Sequence, residues 1–452
     1  MAQEPETTTK RAELPMRLTR LRVKNFRSIA DIDIPLSPLT VLVGPNGSGK
    51  SNVVDALRFV RDVFARGLDQ AVMDREGMGV IQRWGTEGEG ITIGFTACTA
   101  SYIEEQDIPN HEEEAEITEV TIPSSVLSYE FTILSTKEKG IEVKNEKLTL
   151  SIDQVGLPIA KGYRESGNIY AEIGDVQKEG TEKKLRLNKQ QNDLGIESLF
   201  DTIASASLSI KAPFKEEEYS FDAGVWEGYY GAISRIEASI NGMLFYTLNP
   251  ADLRQPQQTL KETSFDEKGR NLAAVLRRLS RGDDWDSLRF ALRRAVVGFD
   301  TLEVEPVGGY LATKLIYQTG GTSSRASYLG QESDGTIRML GLLAALYQGP
   351  SQSFISIEEP EANIHPGALA VLAGVIDEAS LRSQILVTTH SPDMLDYLPV
   401  ESFLVVEKVG DTTHVGPLDA SQIASVRKRL FTPGELFRME GLQRQVEPES
   451  AP

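Results

Sequence analysis

Gly44-Pro-Asn-Gly-Ser-Gly-Lys50-Ser51 sets glycines, a lysine and a hydroxyl in the spacing G-x-x-x-x-G-K-[ST]. Glycines let backbone N–H groups close around an anion, and a helix opening at Lys50 would add the positive end of its dipole. That combination binds phosphate. Lys50 is placed to neutralise β- and γ-phosphate charge of a nucleotide, and Ser51 to offer its hydroxyl to Mg²⁺. Asn46, Gly47, Ser48, Gly49 and Asn52 complete the cradle.

Three further stretches carry groups that could act on such a ligand. "FISIEEPE" runs through apolar residues to Glu358 and Glu359. At a strand tip one carboxylate can hold Mg²⁺, directly or through water, and the next can polarise an attacking water. Elsewhere such a pair is ordinarily solvated surface. "LVTTHSP" ends another apolar run with His390, which at a neighbouring tip could reach a γ-phosphate; a lone histidine is commonly structural. In "LGQESDGTIRML", Ser333, Asp334 and Gly335 open a helix and present a hydroxyl and free N–H groups, which by themselves make a good N-cap.

The elements around these residues follow from periodicity. "LTRLRVKNFRSIADIDIPL" alternates through Leu21, Val23 and Phe26, then Ile32 and Ile34, and predicts two strands and a turn. "TVLVG" is continuous and apolar, as in a strand buried on both faces of a parallel sheet. Val53, Leu57, Val60 and Phe64 then fall at helical spacing. From about Thr92 to Tyr246, short alternating runs such as "VLSYEFTIL" and "GIEVKNEKLTLSI" predict an antiparallel insertion, with no sustained heptads. Two amphipathic helices broken at "RGDD" follow, then the strands "TLEVEPV" and "LATKLIYQ", then alternating helix and strand. That alternation predicts a doubly wound, mostly parallel α/β sheet split by the insertion. The bounds read as a disordered tail 1–15, half of the nucleotide head at 16–95, a β-rich insertion at 96–250, a helical segment at 251–300, the other half at 301–440, and a second disordered tail at 441–452.

A formal charge of −19 over 452 residues excludes a protein that coats nucleic acid with its whole surface. Any such contact needs a local patch, and Arg277, Arg278, Arg281, Arg289, Arg293 and Arg294 are the best cluster, a solvated helix face being the alternative. Glu104–Glu119 holds eight carboxylates and no Lys or Arg, and reads as a solvated, mobile acidic loop. The single cysteine, Cys98, excludes an internal disulfide and reads as an inert strand position. No apolar stretch approaches the roughly 20 residues of a membrane helix, and the amino terminus lacks a secretory core, so a cytoplasmic protein is expected.

Taken in order, "GPNGSGKS", "SDGTIRML", "FISIEEPE", "ANIH" and "LVTTHSP" resemble the ABC-type ATPase heads of the RecF/SMC-like branch, and more closely the stand-alone bacterial AAA family ATPases related to the OLD-family module. The motifs cover about half the chain. The resemblance implies that Ser333 to Gly335 cap ATP bound to a second subunit, Asp334 departing from the glycine of the common SGG version. It implies Glu359 as the catalytic glutamate and Glu358, one methylene longer than the usual aspartate, as the metal-side acid. Ala362 to His365 would contact the other subunit. Arg27 of "NFRS" would approach nucleotide phosphates, and Gln82 of "VIQRWG" would sense metal or water. The implied protein is an ATPase that dimerises, or forms a higher even oligomer, around ATP and Mg²⁺. It would control a separately encoded effector such as a nuclease, in defence against phages and plasmids. A RecF-like DNA repair ATPase and a scaffold that hydrolyses ATP very slowly are the alternatives. SMC-type coiled coils are missing from the insertion. About 60 residues follow His390, too few for the Toprim domain of OLD nucleases, so no nuclease is expected in this chain.

Overall fold

A computed structural model describes residues 16–99, 102–108, 116–122, 124–136, 140–152, 159–165, 168–174, 183–186, 223–258, 264–318, 324–349 and 352–446. The chain divides into two units, residues 20–93 with 239–452, and residues 1–19 with 94–238.

In the first unit the continuous apolar runs become adjacent parallel strands. Their order is Leu244–Tyr246, Phe354–Glu358, Gln384–Thr389, Leu39–Val43 and Phe403–Val409, and every junction is parallel. Thr412–Pro417 turns back against the last of these, Ile29–Pro35 adjoins it in parallel, and Ile29–Pro35 pairs antiparallel with Arg17–Phe26. All five residues of Leu39–Val43 are buried, and each large side chain gains about 1.5–3 kcal/mol by leaving water. Because successive strand residues face opposite sides, Leu39, Val41 and Val43 join Ile355, Ile357, Ile385 and Val387 on one face. The helices Leu272–Leu279, Trp285–Ala295, Asp334–Tyr347 and Pro366–Ser380 cover that face. Alternate positions carry Phe245 and Phe354, whose rings lie 5.9 Å apart. Arg58 and Arg61 of the helix Lys50–Arg66 reach over the Phe245 ring, at 5.2 and 5.0 Å. Helices on both faces make this the expected α/β head.

Leu244–Tyr246 belongs to this sheet, within a segment that periodicity assigned to the insertion. Three residues are too few to show a period. A smaller antiparallel sheet of Gln257–Gln258, Tyr310–Gln318, Phe299–Val307 and Ser324–Tyr328 adds Leu302 and Leu315 to the same core and leads the chain to Ser333. The residues just before the carboxyl end correct another expectation. Residues 441–446 are not a free tail, because Asp419 N–H donates to Gln443 O at 2.9 Å, Gln445 N–H to Pro417 O at 2.8 Å, and Leu442 is buried. Residues 1–15 and 447–452 lie outside the described residues.

The second unit is antiparallel. Ser125–Thr136 pairs with Gly140–Ile152 from Ser125↔Ile152 to Thr136↔Gly140, and Ile159–Glu165, Asn168–Gly174 and Lys183–Arg186 continue the sheet. Leu127, Tyr129, Phe131 and Ile133 are buried at alternate positions. Cys98 sits half-buried on the strand Ile91–Thr99, and burial pushes its thiol up. The acidic loop expected at 104–119 is largely a hairpin instead. Tyr102–Ile108 pairs with Glu116–Ile122, from Tyr102↔Ile122 to Ile108↔Glu116, with 109–115 outside the described residues. Carboxylate content hid the β-branched residues Ile103, Ile108, Ile117, Thr118, Val120, Thr121 and Ile122, which favour strand.

Among the described residues no helix is long and apolar enough to cross a membrane.

Candidate functional site

The glycine loop joins the strand Leu39–Val43 to the helix Lys50–Arg66, as its spacing predicts. Pro45, Asn46 and Gly47 are exposed while Gly44, Ser48 and Lys50 are buried. Gly49, at the N-cap, has φ 106°, a left-handed conformation that glycine adopts without strain. A side chain there would also collide with Thr413. Thr413 belongs to a directed run of hydrogen bonds that buttresses the loop. Asn52 Nδ2 donates to Ser28 Oγ at 2.6 Å, the Ser28 and Thr413 hydroxyls are 2.7 Å apart, and Thr413 Oγ1 donates to Ser48 O at 2.9 Å. The Lys50 ammonium donates to the carbonyls of Gly44 at 2.7 Å and Pro45 at 3.0 Å. Burial pushes its pKa down, partly offset by Glu359 and Glu361.

Glu358 ends its strand beside the loop. Its Oε2 accepts from Ser51 Oγ at 2.8 Å, while Oε1 accepts from Thr247 Oγ1 at 3.4 Å and lies 3.8 Å from Arg58. A hydroxyl and a carboxylate side by side are hard oxygen donors, the set that suits Mg²⁺ with phosphate oxygens and water completing its shell. Among the described residues no group of three or more His, Cys, Asp or Glu forms a separate metal cage, and this kind of site needs none. Ser51 and Glu358 therefore fit Mg²⁺.

Glu359 leaves the strand with φ 46°, an uncommon conformation for a residue with a Cβ. Its N–H donates to Thr388 O at 3.0 Å and its carbonyl accepts from Arg338 Nη2 at 2.7 Å. Its Oε1 lies 3.2 Å from Nδ1 of His390, at the end of Gln384–Thr389. The parallel register, with Glu358 opposite Thr388, places both chain exits at one edge. The sheet thus gathers Lys50, Ser51, Glu358, Glu359 and His390.

Other predicted residues are placed differently. Ser333 caps the helix Asp334–Tyr347 by accepting from Thr336 N–H at 3.2 Å, and Asp334 pairs with Arg254 at 2.6 Å. A Cβ on Gly335 would lie 2.6 Å from Asn363 O, so only glycine fits against that turn. Their observed neighbours are thus Thr336, Arg254 and Asn363. Arg27, at φ 50°, directs its guanidinium to Asp55 at 2.8 Å, and Asp55 is shared with Arg75 at 3.0 Å. Gln82 follows the short helix Met78–Ile81 and donates through Nε2 to Thr86 O at 2.7 Å. Its backbone also bridges to Phe26.

Sequence reasoning missed two site residues. Arg338, buried in the helix that Ser333 caps, donates to Leu248 O, to Glu359 O and, at 3.4 Å, to Glu358 O. Burial lowers its pKa, and Glu361 and Glu359 oppose that effect. A charge within the apolar run "TIRMLGLLAAL" was its signal. Glu361 accepts from Thr389 Oγ1 at 2.6 Å, and its signal was the third acid of "EEPE".

A family model described as "AAA domain, putative AbiEii toxin, Type IV TA system" matches residues 39–396, which include the loop, the paired acids and His390. The chain belongs to that family. It is an ABC-type ATPase module of the RecF/SMC-like branch, related to OLD. It is 58% identical over 43 residues to an OLD nuclease of Thermus scotoductus, 10% of this chain and 8% of that protein. It is 43% identical over 58 residues to a DNA replication and repair protein RecF of Brucella abortus, 13% of this chain and 15% of that protein. These matches span only a small share of either relative's length. A solved Smc head domain with a coiled coil and joint derived from Pyrococcus yayanosii aligns over 92% of this chain and 99% of that one, at 12% identity and a TM-score of 0.42.

Proposed function

We propose that this AAA-family module is an ATP-binding and hydrolysing switch that dimerises around ATP and, through that change of assembly, controls a separately encoded effector such as a nuclease in bacterial defence. The observation that carries the reading is the juxtaposition of Ser51 and Glu358 at 2.8 Å with Glu359 and His390 at 3.2 Å, beside the phosphate loop. Lys50 neutralises the β- and γ-phosphates. Ser51 and Glu358 hold Mg²⁺, which when bound screens phosphate charge. Glu359 orients a water and accepts its proton as the water attacks the γ-phosphorus, and His390 donates to the γ-phosphate.

Ser333, Asp334 and Gly335 supply the other half of the site in trans. Their partners within the chain are Thr336, Arg254 and Asn363, which leaves the helix start, with Ser333 and Asp334 exposed, to face a second copy. Binding that favours the closed dimer shifts the population toward it by its differential affinity, and hydrolysis reverses the shift.

The test uses Glu359→Gln, which keeps size and removes the base. With Mg-ATP this variant is expected to elute as a stable nucleotide-loaded dimer that reverts when magnesium is chelated, with turnover down by about 10²–10⁴-fold. Identical elution of wild type, Glu359→Gln and Lys50→Ala with and without ATP would overturn the dimer switch.

A further inference from the structure

We infer that Glu361 is a positioning residue of the hydrolytic site, acting by fixing the chain exit that carries His390; this rests on the ATPase reading above. The two residues come from neighbouring strand ends. Glu361 lies just beyond Pro360 in "EEPE", and His390 directly follows the strand Gln384–Thr389.

The carboxylate acts on both flanks of the histidine. Oε1 of Glu361 accepts from the Thr389 hydroxyl at 2.6 Å and from the His390 N–H at a longer 3.4 Å. The Thr389 oxygen in turn accepts from Ser391 N–H at 3.0 Å, and the Ser391 side chain caps the helix Pro392–Leu395. Residues 389, 390 and 391 are thereby tied, directly or through one hydroxyl, to a single carboxylate. His390 Nδ1 stands 4.0 Å from Oε1 of Glu361 and 3.2 Å from Oε1 of Glu359, so Glu361 holds the backbone and Glu359 meets the ring.

Burial gives this contact its value. The Glu361 side chain is only 8% exposed and its Oε2 is buried without a hydrogen-bond partner. A carboxylate kept in that state is costly unless neighbouring charge compensates it, and Lys50 and Arg338 both feel its field. A glutamate serving only to cap a turn could sit in water. Here it is held inside, where its charge acts on the lysine of the phosphate loop and on the arginine that holds the Glu359 carbonyl.

The experiment reads His390 directly. The chain has four histidines, so ¹³C-labelled imidazole signals can be assigned by loss in His390→Ala. In Glu361→Ala the His390 signal is expected to move while those of the other histidines stay. Glu361→Gln, which keeps an acceptor oxygen, should leave it near its wild-type position, and Thr389→Val should move it part of the way. In steady-state assays Glu361→Ala should lower kcat about tenfold or more with little change in KM, and add no further loss in the His390→Ala background. An unmoved His390 signal in folded Glu361→Ala, or losses that multiply in the double variant, would overturn the inference. Should Glu361→Ala fail to fold, Thr389→Val carries the same test. A moved signal in a chain whose wild type neither binds nor hydrolyses ATP would uphold the positioning contact and sink the ATPase reading instead.

Discussion

Glu146 and Glu361 each carry a buried side chain, one in each unit of the chain, and they are treated differently. Glu146, in the antiparallel unit, uses both oxygens, accepting from Tyr129 OH at 2.6 Å and Arg164 Nε at 3.1 Å. Glu361, in the parallel unit, uses one oxygen and leaves the other buried without a partner. An unsatisfied buried acceptor costs about 1–3 kcal/mol. An antiparallel sheet brings donors from adjoining strands opposite one another, so a buried charge can be paired inside the sheet face. A parallel sheet ends its strands together and leaves polar groups of the exits short of partners, which is where α/β sheets take ligands. The closed trio stabilises a fold. The open one belongs to a site.

The largest expected effect is Lys50→Ala, which strips the phosphate loop of its lysine ammonium. ATP turnover should drop by about 10²–10³-fold or more, measured as phosphate release, since charge stabilisation of the transition state is lost. Its thermal midpoint should stay level or rise slightly, because burial already disfavours the ammonium. Wild-type turnover would remove the loop from the mechanism.

Arg338→Met sharpens the comparison from the stability side. It leaves the carbonyls of Leu248 and Glu359 without their donor, and urea denaturation should show a loss of about 2–4 kcal/mol, with Arg338→Lys in between. An unchanged midpoint would mean that the guanidinium does not hold the Glu359 turn.

Glu146 gives the smallest effect and tests the closed trio. Burial pushes its carboxyl from 4.5 up to about 6, against the opposing pull of Tyr129 and Arg164. Between those values the folded chain keeps a proton that the unfolded chain has released, so stability falls as pH rises. The loss is about 2 kcal/mol, complete above the folded value. Glu146→Gln, neutral throughout, lacks this loss, although it also forgoes the Arg164 ion pair. Its stability relative to wild type should therefore improve by about 2 kcal/mol between roughly pH 4 and pH 7 in denaturation curves. A constant difference across that range would show that burial does not raise the Glu146 carboxyl above its unfolded value.

What was legible in the sequence was local. Strand, glycine turn and helix are contiguous, so the phosphate loop could be read whole. Glu358, Glu359 and His390 were visible because each ends an apolar run. Arg338 and Glu361 were harder, since their worth depends on partners 21 and 28 residues away across a strand crossing. Thr413 left no signal at all, its contact with Ser48 spanning 365 residues. The acidic hairpin was hidden for the opposite reason: composition outweighed propensity, while backbone pairing depends little on net charge. Leu244–Tyr246 was too short to show a period.

The strand that leads into the phosphate loop has both neighbours from far along the chain. Leu39–Val43 lies between Gln384–Thr389 and Phe403–Val409, and Gly49 packs on Thr413. On a ribosome, about 340 residues must still be added after Val43 before the first neighbour exists, roughly 20–70 s at 5–20 residues per second. Throughout that interval a five-residue apolar β run has no edge to join, and it is the kind of segment on which chaperones act and aggregates start. The Thr413 part of the loop's buttress cannot form until residue 413 has been made. The phosphate loop is therefore expected to gain its full support late in the synthesis of this chain, and a ribosome stalled before that point would leave the loop without it.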